Sequence, residues 1–243
     1  MPNNAPNSSS SSISAAFPQH RLRGNETLIF DLDDTLYPPG AFLSHSAFLC
    51  YVNEAVTDIT GWPVAEVAAI TEKYDARTID VIGCWEREHN IAIAQIEDYI
   101  DKQDISHVPT CSQTQAFLRA WQGRSVIFTN TRLGHAERFL EHLGLTDSIA
   151  HICTNCQRGR RFKPDVDIYH ELVARLDEKP ENCIMFEDRH RNLQPAYDMG
   201  MGTVLIHPEK DAQEHVQLWY PDIKTWIQNV KIDPASQPKK TAL

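Results

Sequence analysis

Thr27-Leu28-Ile29-Phe30-Asp31-Leu32-Asp33-Asp34-Thr35-Leu36-Tyr37-Pro38 decides how the rest of the chain is read. It opens as a short, continuously apolar strand over 27–32, the pattern of a strand covered on both faces rather than one that alternates. Three acids in four positions follow at its end. Acids are poor strand formers and repel one another, so a purely structural turn explains them badly. Four further segments share the apolar, β-branched character: Ser125–Thr129, Ile149–Thr154, Cys183–Glu187 and Thr203–His207. Between the later ones apolar residues recur at helical spacing. Ala136, Phe139, Leu140 and Leu143 run up to Gly144; Ile168, Leu172, Val173 and Leu176 share a face; Leu193, Ala196 and Tyr197 lead to Gly200. Alternating strand and helix predicts an α/β fold built on a Rossmann-like, doubly wound parallel sheet.

The stretch between the first and second strands is far too long for one crossover. Helical patterns fill it at 42–59, 64–74, 79–89 and 91–100, which predicts an α-helical cap over 41–120. The α/β core then comprises 25–40 and 121–232. Residues 1–24, with Ser8 to Ser12 and no acid, read as a disordered leader, and 233–243 as a mobile tail. The chain has 243 residues and a formal net charge of −10. That balance argues against a nucleic-acid polymer or an anionic membrane as partner, so an anionic ligand must be held by a few local cations or a metal. No run approaches the roughly 18 apolar residues of a membrane span, and no secretory apolar segment is visible. Six scattered cysteines fit free thiols in a reducing cytoplasm. The one Cys-x-x-Cys, Cys153 to Cys156, lacks the second pair of ligands that a structural zinc site uses.

The remaining strand ends are chemically loaded in the same way as the first. Strand two ends in Thr129-Asn130, Lys163-Pro164 precedes the helix after strand three, and strand four ends in Glu187-Asp188 with Asn192 shortly after. All lie at the edge of the sheet where open α/β folds bind ligands. Taken singly, Thr-Asn or Lys-Pro carries no information. The ordered set, Asp-x-Asp-x-Thr, Thr-Asn, Lys-Pro and an acidic pair with a downstream Asn, resembles the four motifs of the haloacid dehalogenase superfamily over about Leu28 to His207. Within it, the stretch from Asp31 to Pro38, and Phe128-Thr129-Asn130 followed by His135 to Gly144, look most like the pyrimidine 5′-nucleotidase branch, whose members carry a helical cap between the first two motifs.

The resemblance implies a phosphomonoester hydrolase. A phosphate ester brings nearly two negative charges to a site holding Asp31, Asp33, Glu187 and Asp188. Like charges at 4 Å cost roughly 4 kcal/mol per pair at an effective dielectric of about 20. A divalent counter-charge is therefore required, and oxygen donors at strand ends suit Mg²⁺. The implied metal ligands are the Asp31 carboxylate, the Asp33 backbone carbonyl and the Asp188 carboxylate, with Glu187 and Asn192 behind them. Asp31 is then the nucleophile and Asp33 the general acid and base; Thr129 and Asn130 donate to the phosphoryl oxygens, and Lys163 offsets their charge. Dehalogenases expel halide, which needs no proton, so an acid at Asp33 favours phosphoryl transfer.

Arg189, His190 and Arg191 replace the small residues more usual after the acidic pair, and read as a solvated loop. His135 reads as packing or capping near a helix start, and Tyr51, Trp62, Tyr74 and Trp85 as core of the cap. The expected substrate is UMP or CMP. The alternatives are a sugar phosphate or phosphoglycolate, a phosphomutase on the same chemistry, a non-catalytic binding protein on the same fold, or a redox protein centred on Cys153 and Cys156.

Overall fold

The computed structural model describes residues 21–154 and 161–232. Along the chain these form β1 (Arg21–Leu22), β2 (Thr27–Phe30), α1 (His45–Thr60), α2 (Val64–Asp75), α3 (Val81–His89), α4 (Ile93–Asp101), α5 (Ser112–Ala120) and β3 (Ser125–Thr129). There follow α6 (Leu133–Leu143), β4 (His151–Thr154), α7 (Val166–Leu176), β5 (Cys183–Glu187), α8 (His190–Asp198), β6 (Gly202–Ile206), β7 (Leu218–Tyr220), α9 (Ile223–Asn229) and β8 (Lys231–Ile232).

Six strands form one all-parallel sheet in the order β4-β3-β2-β5-β6-β7. The loaded strand β2 is flanked by β3 and β5, with Phe30 opposite Ile127 and Phe186. Its side chains alternate between two apolar layers, as a strand's period of two requires. Leu28 and Phe30 enter the layer of Phe139, Leu140 and Trp226, supplied by α6 and α9; Ile29 enters that of Tyr169, Leu172 and Leu193, supplied by α7 and α8. Helices on both faces explain why the strands carry continuous apolar runs. Each fully buried Leu, Ile or Phe contributes about 1.5–3 kcal/mol, so the central strands are the best-anchored part of the molecule.

Helices α1 to α4 form the cap. Ser44 caps α1 by accepting from the Ala47 amide, and Gly61, at φ 71°, ends it in the left-handed conformation that only glycine adopts without strain. Trp62, Tyr74, Trp85 and His89 pack together inside the cap, Trp62 on His89 and Tyr74 on Trp85 edge to face, with Trp85 fully buried and its Nε1 donating to the Thr71 hydroxyl at 3.2 Å. These rings are core, and none of them lines the cavity described below.

Three expectations change. Helix α5, which falls inside the 41–120 segment, packs on the core instead: Phe117 meets Trp226 at 5.2 Å, and the Gln115 side chain donates to the Leu143 carbonyl. Residues 21–24 are placed rather than part of a disordered leader, because Leu22 is buried and β1 pairs with β8. Glu26 also accepts from the Arg23 and Gly24 amides. Strand β2 stops at Phe30, and the acids sit in the turn beyond it. Residues 1–20 and 233–243, and Cys156, lie outside the described residues; Cys153 is a buried thiol. Among the described residues no helix is long and apolar enough to cross a membrane.

Candidate active site

Parallel strands deliver every one of their C-terminal ends to the same edge, and the cap stands over it. The Asp31 amide donates to the Phe186 carbonyl, so ladder pairing holds the first acid beside the end of β5. Immediately after it the chain turns: the Leu36 amide donates to the Leu32 carbonyl, and Asp34 takes φ 58° with its carboxylate accepting from the Gly40 amide. A cavity of about 660 Å³ opens here. Asp31, Asp33, Thr129, Asn130, Lys163, Glu187, Asp188 and Asn192, the residues the sequence analysis assigns to the site, line it.

Lys163 is the centre of charge. It is 1% exposed, and its Nζ donates to Asp31 Oδ1 at 2.8 Å, to Glu187 Oε1 at 2.7 Å and to the Phe128 carbonyl at 2.8 Å. Burial would pull its pKa down, but the two carboxylates outweigh burial and hold it above the ordinary lysine range, so it is an ammonium. Asn130 braces the loop that carries it, exchanging hydrogen bonds with the Lys163 backbone. Glu187 is fully buried. Burial pushes its pKa up, yet the Lys163 charge, with donors from Lys163, the Arg189 amide and Asn192, keeps it below the ordinary value.

The other two acids are less well compensated. Burial, with Glu187 and Asp33 adding to it against Lys163, raises Asp31 to about 7. Burial, with Glu187 and Asp31, raises Asp188 to about 10, although Arg189 stands 3.7 Å away. Such surroundings bind positive charge. A profile of the haloacid dehalogenase-like hydrolases matches residues 26–200. The chain belongs to that family.

Similarity to individual members is more local. The chain is 38% identical over 63 residues to the mouse bifunctional epoxide hydrolase 2, covering 26% of this chain and 11% of the mouse protein. It is 42% identical over 48 residues to flavin mononucleotide hydrolase 1 of Arabidopsis thaliana, covering 20% and 19% of the two chains. The chain thus spans only a small part of the curated relatives it matches. Two solved structures share the fold. CbbY from Rhodobacter sphaeroides, in complex with phosphate, has a TM-score of 0.61 at 18% identity, over 88% of this chain and 99% of that one. The HAD-hydrolase YfnB from Bacillus subtilis, bound to magnesium, has a TM-score of 0.59 at 13% identity, over 84% and 97%.

Three acids of the chain could together hold a cation. Asp31, Glu187 and Asp188 each present an oxygen within 4.8 Å of the others, and among the described residues no histidine or cysteine joins them. Both Glu187 oxygens are already engaged, Oε1 by Lys163 and Asn192 and Oε2 by the Arg189 amide. Asp31 and Asp188 are therefore the acids presented outward, and Glu187 stands behind them. An all-oxygen donor set with excess negative charge fits a small divalent cation.

The structure also brings in residues that the sequence reading did not place in the site. His135 does pack, stacked on Phe139 at 4.5 Å, but its Nε2 lies 3.0 Å from Asp33 Oδ1 and its Nδ1 lies 3.1 Å from Asp101 Oδ1. Burial alone would lower its pKa; the two carboxylates outweigh burial and raise it to about 9. Tyr37 donates to the same Asp33 oxygen at 2.6 Å. Arg132 pairs with Asp98 at 2.8 Å and with Asp101, tying the core to α4. The available signal was His135 four residues before Phe139, a polar ring on an otherwise apolar helix face. Arg189 and Arg191 line the cavity too, so they are not merely a solvated loop.

Proposed function

We propose that this hydrolase is a Mg²⁺-dependent phosphomonoesterase that works through an aspartyl-phosphate on Asp31. The buried Lys163 carries the reading: an ammonium fixed between two acids at a ligand edge is costly unless it serves charge that arrives with a substrate. Lys163 holds Asp31 Oδ1, which leaves the other carboxylate oxygen to attack phosphorus. As that P–O bond forms, the bond to the leaving oxygen breaks and Asp33 passes it a proton. In the second step Asp33 takes a proton from water as the water oxygen attacks phosphorus; the Asp31–phosphorus bond breaks and inorganic phosphate leaves. Thr129 and Asn130, at the end of β3, donate to the phosphoryl oxygens. Asp31 and Asp188, with the Asp33 backbone carbonyl, would hold Mg²⁺, whose charge offsets that of the phosphate.

The leaving group we assign is a nucleoside, with UMP or CMP as substrate. The resemblance of the Asp31–Pro38 stretch to the pyrimidine nucleotidases supports it, as does the short match to a flavin mononucleotide hydrolase. The cavity wall fits a partly apolar leaving group: it offers Leu43, Phe48, Ile79, Ile82 and Ile100 beside charged side chains of both signs. A reducing cytoplasm is part of the reading, and the five described cysteines are free thiols.

Phosphate release from UMP, CMP, dUMP, AMP, phosphoglycolate and sugar phosphates, with Mg²⁺ and with EDTA, tests this directly. Metal-dependent release preferring UMP or CMP, lost by at least a thousandfold in Asp31→Asn, is expected. Release from sugar phosphates alone would keep the mechanism and replace the substrate. Turnover surviving Asp31→Asn would overturn the mechanism itself.

A further inference from the structure

We propose that His135 is a positioning residue for Asp33, and that the cap helix α4 sets its place through Asp101. The inference rests on the phosphomonoesterase reading, in which Asp33 carries the leaving-group proton.

Asp33 Oδ1 accepts from the Tyr37 hydroxyl at 2.6 Å and lies 3.0 Å from His135 Nε2. Both bonds fall on one oxygen. A carboxyl held in this way is restrained about its Cβ–Cγ bond, and Oδ2, which makes no hydrogen bond among the described residues, is the oxygen left to exchange a proton with the substrate. A general acid gains most when the proton-bearing atom is held at the leaving oxygen, because misplacement by about 1 Å costs up to about a hundredfold.

The ring that does the pinning is itself fixed. It is 2% exposed and stacked on Phe139, and its second nitrogen, Nδ1, lies 3.1 Å from Asp101 Oδ1 at the end of α4. With a carboxylate at each nitrogen, the imidazole bridges an acid of the core to an acid of the cap. Arg132, three residues earlier on the core side, grips the same helix through Asp98 and Asp101. Cap and core thus meet at α4 through two basic side chains, and one of them also touches the acid that performs the chemistry. A cap that moves Asp101 away releases the ring, and with it the orientation of Asp33. The arrangement ties proton delivery to the seated cap.

Leaving groups separate positioning from general damage. Alkoxide departure from UMP or ribose 5-phosphate needs the proton, whereas 4-nitrophenolate leaves 4-nitrophenyl phosphate with little help. The ratio of kcat on the alkyl phosphate to kcat on 4-nitrophenyl phosphate is therefore the readout. It is expected to fall about 10- to 100-fold in His135→Asn, to fall in the same sense but less in Asp101→Asn, and to recover partly in His135→Gln, whose amide reaches toward Asp33. Asp33→Asn should show the largest fall. An unchanged ratio in His135→Asn and Asp101→Asn, whether both rates drop together or neither drops, would overturn the proposal. If His135→Asn folds poorly by circular dichroism, Asp101→Asn decides alone. Asp31→Asn is measured beside them: turnover surviving in that variant would sink the phosphomonoesterase reading, whereas a dead Asp31→Asn with an unchanged His135 ratio would sink only the positioning role.

Discussion

Lys163 and His135 are both buried bases among acids, and only one of them was visible in the sequence. A lysine beside proline after a buried strand stands out against its own neighbourhood, as do three acids at a strand end. His135 sits on the apolar stripe of α6 with Ala136, Phe139 and Leu143, so its local pattern says packing, and its acidic partners come from segments 102 and 34 residues away. What it contributes to stability depends on pH. Its pKa rises from the ordinary 6.5 to about 9 because Asp33 and Asp101 more than offset burial. A base whose folded value is raised stabilises the fold fully below its unfolded value, and that contribution disappears as pH climbs through the folded one. Urea unfolding of the native chain and of His135→Asn should therefore show a stability gap of about 3 kcal/mol that is constant below about pH 6.5 and shrinks toward about pH 9. A gap independent of pH would mean that the ring contributes by packing alone.

Elements were legible in proportion to how much apolar surface they bury. Strands β3 and β5 fall where the apolar runs place them, because their middles, Val126 to Phe128 and Ile184 to Phe186, are covered on both faces and continuously apolar, with buried polar residues only at the ends. Helix α5 buries only Thr114 and Leu118, and β7 is a three-residue edge strand, so neither leaves a pattern strong enough to read. The two-residue pair β1 and β8 is invisible for the same reason. Where α5 hands over to β3, close approach replaces apolar burial as the constraint. A Cβ at Gly123 would lie 2.1 Å from the Glu26 carbonyl oxygen and 2.7 Å from Trp121 Nε1, the two atoms that hydrogen-bond each other at 3.1 Å. Backbone cannot retreat as a flexible side chain can, so Gly123→Ala should cost about 1–3 kcal/mol. Gly123 precedes β3, at the end of the sheet opposite the cavity. The expected result is an earlier urea midpoint with kcat intact at 25 °C; loss of kcat without loss of stability would contradict this division of the sheet into two ends.

Fold and chemistry pull against each other across the chain as a whole. The sheet concentrates Asp31, Glu187 and Asp188 at one edge and supplies Lys163 as the ammonium between two of them, in a chain that already carries a net charge of −10. Without a divalent cation, Asp188 is the acid in excess, and burial beside Glu187 and Asp31 holds its pKa at about 10. At neutral pH the carboxyl must therefore take up a proton when the metal-free chain folds, a cost that an amide does not carry. Asp188→Asn is expected to be more stable than the native chain in EDTA, by about 1–3 kcal/mol. A cation that binds only the folded state reverses the order, since it adds RT ln(1 + [L]/Kd), about 2.7 kcal/mol at a hundredfold excess over Kd. Melting temperatures of the two proteins, measured against rising Mg²⁺, should therefore cross: the native chain starts lower and climbs, while the variant starts higher and stays flat. Parallel curves, or a variant that is less stable in EDTA, would show that Asp188 holds the fold together rather than waiting for the ion.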